Sequence, residues 1–132
     1  MDDVRANNPD YHGLPVPSFG ADDAQWIVVG LAPGRHGANR TGRPFTGDHA
    51  GVLLYETLHK FGFANQPTGD SPDDGLVLLN CKIANAVKCL PPQNKPQGTE
   101  INACNQYLTA EFALSKRPIV IVALGTIAHG AV

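Results

Sequence analysis

At 132 residues the chain is long enough for one domain with a real core and too short for two. Its net charge of −2 gives no global pull toward nucleic acid or membranes, and no apolar run approaches the ~18 residues of a membrane span. Three cysteines without short spacing argue against a disulfide framework, and Met1-Asp-Asp-Val-Arg lacks the order of a signal peptide, so a cytoplasmic location is expected.

Residues 1–25 are polar and rich in Asn, Asp and Pro. Pro15 and Pro17 favour an extended arm, which Phe19 is placed to pin onto the body. Trp26 to Leu31 is an apolar run that reads as a buried strand. A long loop follows, Gly30-Leu-Ala-Pro-Gly34 through His36-Gly-Ala-Asn-Arg-Thr-Gly-Arg-Pro-Phe-Thr-Gly-Asp48. Loops of this length inside a compact domain usually serve a function. Arg35, Arg40 and Arg43 face only Asp48 here, a local excess of two positive charges suited to phosphate.

Asp48 stands where an N-cap would, before a helix over Ala50–Phe61 that carries Leu54, Leu58 and Phe61 at helical spacing and stops at Gly62. After a turn-rich connection, Leu76–Ile83 reads as a second strand. The three prolines in Leu90–Pro96 exclude regular structure there. Thr99 is expected to cap a helix through about Ser115, with Ile101, Cys104, Leu108 and Phe112 near one face. Pro118–Leu124 reads as a third strand, and Thr126 as the N-cap of a further helix. This alternation predicts an α/β fold, a three-layer α/β/α sandwich around a mostly parallel sheet, incomplete in this chain. Residues 1–132 would then form a single partial domain whose ligand sits outside the carboxyl ends of the strands.

Several chemistries are disfavoured. Gly37-Ala-Asn-Arg-Thr-Gly42 has the glycine spacing of a phosphate loop, but Arg43-Pro44 replaces its Lys-Ser/Thr. A dinucleotide fingerprint is absent after the first strand. The five histidines show no metal-ligand spacing, although His36 lies in the loop. Cys89 and Cys104 flank the proline loop and read either as small core hydrophobes or as thiolate ligands of a cluster. Cys81 reads as structural.

The two quoted loop segments resemble the first active-site motif of the uracil-DNA glycosylase superfamily, its type B or family 5 branch in particular. Ala84-Asn-Ala-Val-Lys-Cys-Leu-Pro-Pro-Gln-Asn-Lys-Pro96 is similar to the segment that follows in that family, and the resemblance runs from Pro15 to Val132. It implies a DNA-repair hydrolase that flips uracil, and other deaminated bases such as hypoxanthine or xanthine, out of the stack. It further implies that Phe45 stacks on the base and Asn85 hydrogen-bonds its edge. Backbone N–H groups near Leu31 and Ala32 would hold the departing anion. Arg40 and Arg43 would meet DNA phosphates. The branch carries no carboxylate in this motif, which leaves Asn39, with Asp48 behind it, to hold the attacking water.

The family binds a 4Fe-4S cluster through four cysteines, of which Cys89 and Cys104 match the later two. Its last motif, with a catalytic histidine, has no counterpart here, and His129 does not match it. The expectation is a monomeric partner of uracil-containing DNA, truncated at both ends and inactive or nearly so as this chain alone. A non-catalytic nucleic-acid or nucleotide-binding module of the same fold is the alternative.

Overall fold

The computed structural model describes residues 12–47, 49–88, 98–114 and 119–131. In chain order these form β1 (Phe19–Gly20), β2 (Trp26–Gly30), α1 (Ala38–Thr41), α2 (His49–Lys60), β3 (Cys81–Asn85), α3 (Gly98–Leu114), β4 (Val120–Ala123) and α4 (Thr126–Ala131). The sheet order is β1-β3-β2-β4, with β2 parallel to both β3 and β4 and β1 antiparallel to β3. Helix α2 packs on one face of the sheet and α3 with α4 on the other. The three-layer sandwich is therefore as expected.

Strand alternation sorts the core into two halves. On the α2 face Val28, Cys81 and Ile83 pack with Tyr55, Ala64, Leu76 and Leu78. On the other, Ile27, Val29 and Ala84 pack with Ala86, Leu108 of α3 and Ala128 of α4. The stripe foreseen on α3 holds: Leu108 is buried, with Ile101, Cys104 and Phe112 half-buried. That helix starts at Gly98, so Thr99 lies in its first turn and is not its cap. Helix α4 likewise starts at Thr126 itself.

Three further expectations change. The arm is not merely extended: Phe19 and Gly20 pair with Ile83 and Lys82, which gives the sheet a fourth strand and covers the edge of β3. Phe19 does pin it, meeting Tyr55 edge-on with ring centroids 6.5 Å apart. Second, Leu76–Asn80 is apolar but lies outside the sheet. Its backbone bonds to the 63–65 segment, through Leu79 N–H to Phe63 O at 2.8 Å and Val77 N–H to Asn65 Oδ1 at 2.7 Å. Asn80 then turns the chain with φ 53°, and pairing with β2 begins only at Cys81. Third, the buried face of α2 centres on Tyr55, flanked by Leu54 and Leu58, whereas Phe61 falls beyond the helix end and is exposed. Gly62 is the stop foreseen, with Phe63 N–H closing back onto Leu58 O at 2.8 Å.

Candidate active site

The parallel register sets Gly30, the last residue of β2, opposite Asn85, the last of β3. Both belong to the α2 face by alternation, at the carboxyl ends of their strands. Phe45 returns from the loop to the same spot. A Cβ added at Gly30 would lie 2.6 Å from Asn85 Oδ1 and 2.8 Å from Phe45 Cζ. Only a residue without a side chain lets the amide and the ring converge this closely. Asn85 is buried and Phe45 half-buried. Past this point the chain stays knitted together, with Ala86 N–H on Gly30 O and Val87 N–H on Leu31 O, each at 2.9 Å. Leu31 and Ala32 are half-buried at the end of β2, beside the convergence.

Asn39 sits on the single-turn α1 and is buried. Its Nδ2 donates to Arg35 O at 3.3 Å, while its Oδ1 has no hydrogen-bond partner among the described residues. A buried, unpaired carbonyl oxygen is costly unless something such as water meets it. The N-terminal arm closes over this turn, with His12 N–H on Arg40 O at 2.9 Å and Gly13 N–H on Asn39 O at 3.0 Å. Asp48, expected as N-cap and as second to Asn39, lies outside the described residues.

The two arginines assigned to phosphate differ. Arg40 is exposed, its Nε donating to His36 O at 2.6 Å. Arg43 is buried and corrects the expectation: its guanidinium donates to both oxygens of Asp74, at 3.0 and 3.1 Å, and through Nε to Thr46 Oγ1 at 2.7 Å. It also lies over the Phe19 ring, 4.8 Å from the centroid. A phosphate could reach it only by displacing a carboxylate already in bidentate contact. Its partner stands 31 positions downstream in a stretch of turn residues, so no local pattern signals the pairing.

Among the described residues the cysteines do not assemble a cluster site. Cys104 is half-buried on α3, in a groove lined by Pro15, Ser18, Lys88, Tyr107 and Glu111. Cys81 is buried on the opposite face of the sheet, where burial pushes its thiol up to about 11. Cys89 lies outside the described residues, which contain no group of three or more His, Cys, Asp or Glu able to hold a metal ion. A 4Fe-4S cluster takes four thiolates. The chain has three cysteines, one of which faces the wrong way, so its own residues do not complete the set.

No motif signals a buried charged group on the α3 face. Lys88 Nζ meets Glu111 Oε1 at 3.2 Å and Ser18 Oγ at 3.3 Å, and Lys82 Nζ lies 3.8 Å from Glu111 Oε2. Ser18 also donates to Glu111. The group ties the arm to β3 and α3. The only signal for Lys82 is its place inside an apolar strand.

Comparison with known proteins agrees with the geometry. The sequence pattern of the Uracil DNA glycosylase superfamily matches residues 17–132, and the chain belongs to that superfamily. Among its relatives, a Type-5 uracil-DNA glycosylase of Thermus thermophilus is 47% identical over 118 residues, 89% of this chain and 53% of that protein. One of Pyrobaculum aerophilum is 45% identical over 92% of this chain and 54% of its own length. A Type-4 uracil-DNA glycosylase of Thermotoga maritima is 37% identical over 80% of this chain and 47% of its own length. The chain spans about half the length of the curated relatives it matches.

Proposed function

We propose that this chain forms the base-binding wall of a type-5 uracil-DNA glycosylase, an enzyme that hydrolyses the N-glycosidic bond of uracil in DNA. The observation that carries this reading is the meeting of the Phe45 ring and the Asn85 amide over Gly30. A base inside a duplex cannot reach such a recess, so the nucleotide must be extruded. The Phe45 ring offers a stacking surface to the extruded base. The Asn85 amide can accept from uracil N3–H and donate to O4, a pattern that cytosine reverses.

In the reaction the C1′–N1 bond breaks, its electron pair leaving with uracil as an anion, and water adds to the sugar carbon and loses a proton. Backbone N–H groups at Leu31 and Ala32 are assigned to the anion, where negative charge develops. Asn39 is assigned to the water, because its Oδ1 is buried without a partner among the described residues. Arg40, exposed beside the loop, is the candidate for backbone phosphate. A 4Fe-4S cluster on Cys89 and Cys104 would need two further ligands from outside these 132 residues, and no step above runs through it.

The test is single-turnover excision from a uracil-containing oligonucleotide, scored by alkaline cleavage at the abasic site, with the chain carrying its genomic flanks. Asn85→Ala and Phe45→Ala should each slow excision roughly 100-fold, the cost of removing a positioned contact to the reacting base. Wild-type protein that binds the DNA but never cleaves at uracil would sink the enzyme reading in favour of a binding module.

A further inference from the structure

Phe45 has φ 54°, a left-handed backbone that a bulky residue adopts only when its surroundings over-determine it. The contacts that do so come from the loop itself and from elements outside it. Arg43, two residues earlier, is gripped by both oxygens of Asp74. Asp74 is itself fixed, accepting from the N–H of Asp70 and of Leu76, each at 3.0 Å. Pro44 O, adjacent to Phe45, accepts from the Tyr55 hydroxyl of α2 at 2.5 Å and from Thr46 Oγ1 at 3.2 Å. Thr41 Oγ1 donates to Thr46 O at 3.0 Å on the other side. Helix α2 also presses directly on the residue: a Cβ at Gly51 would stand 1.8 Å from Phe45 O. The ring is thus held from the turn at 70–76 and from the middle of α2.

We infer that Asp74 and Tyr55 are positioning residues for base capture, acting through Arg43 and Pro44 to hold the Phe45 ring over Gly30. This rests on the reading of Phe45 as the stacking face. Stacking requires the ring at one height and tilt, and a misplacement of about 1 Å can cost on the order of 100-fold in rate. Asp74 and Tyr55 bond Arg43 and Pro44, so through them they should affect the step after DNA is bound and not the binding itself, which phosphate contacts dominate.

A double-mutant cycle tests this in the flanked chain, with Asp74→Asn and Tyr55→Phe each made in the wild-type and Phe45→Ala backgrounds. In the wild type, the saturating single-turnover rate should fall about tenfold for Asp74→Asn and about threefold for Tyr55→Phe, with the half-saturating DNA concentration unchanged. In the Phe45→Ala background neither change should slow excision further. Equal falls in both backgrounds would overturn the proposal. A Phe45→Ala protein as fast as wild type would instead remove the stacking reading and this proposal with it. Should Asp74→Asn fail to fold, Tyr55→Phe decides alone, since it removes one hydroxyl from an acceptor that Thr46 still satisfies.

Discussion

The two faces of the sheet both bury charge, but in different ways. On the α2 face the described residues form one ion pair, Arg43–Asp74, bidentate at 3.0 and 3.1 Å and enclosed by the Phe19 and Tyr55 rings. On the α3 face two lysines share Glu111 at 3.2 and 3.8 Å, and its Oε2 has no hydrogen bond among the described residues. A planar guanidinium meets a carboxylate in a fixed geometry, whereas an ammonium is a point charge on a flexible stem. The first arrangement suits a loop that must present one ring in one place. The second suits a tether that keeps the arm on the body and tolerates adjustment. The candidate active site accordingly grows from the first face, while the Cys104 groove lies on the second.

The largest expected effect is on the α3 face. Glu111→Gln leaves the buried Lys88 ammonium without its carboxylate and Lys82 with only the exposed Asp22 at 3.9 Å, and removing one partner of a buried pair costs about 3 kcal/mol or more. Urea unfolding should report that loss. A change below about 1 kcal/mol would show that solvent already screens the group and that only the α2 face encloses its charges. Next in size is acid sensitivity on the α2 face. The hydrogen bonds from Arg43 hold the Asp74 carboxyl well below the usual carboxylate range. A depressed pKa adds stability that is fully present above about pH 4 and is lost as pH falls through and below that value. Asp74→Asn should therefore flatten the acid limb of a stability-versus-pH curve relative to wild type. An unchanged limb would assign acid unfolding to other carboxylates.

The smallest effect is chemical. Cys81, buried and with its thiol raised to about 11, should resist iodoacetamide at pH 8 in the folded chain. Half-buried Cys104 should react under the same conditions, as read by peptide mass spectrometry. Reaction of Cys81 at the same rate would mean that the α2 face opens to solvent on the labelling timescale.

Much of this organisation is written locally. The apolar run at Trp26, the helical spacing of Leu54 and Leu58, and the Gly62 stop are each legible because neighbouring residues cause them. So is the grouping of the long loop with Asn85, since both follow strands of a parallel sheet and must emerge at one end. The two-residue β1 was not legible, because two residues carry no periodicity. The apolar Leu76–Asn80 run misled for a related reason: alternation describes a strand-like path but not its partner, which is the 63–65 segment and not β2.

What the sequence by itself determined is the layer order of the sandwich, the glycine-rich loop after the first strand, and the residue types, an aromatic and an amide, available at its mouth. Tertiary structure alone decided where the charges of that loop point. Arg40 and Arg43 are three residues apart and chemically identical, yet one reaches solvent and the other is buried on Asp74. Local pattern sets which face of an element is apolar. It does not set which distant carboxylate a guanidinium meets, because that partner is delivered by chain crossing and core packing. The same long-range contacts turned Phe45 from a loop residue into a braced ring over Gly30.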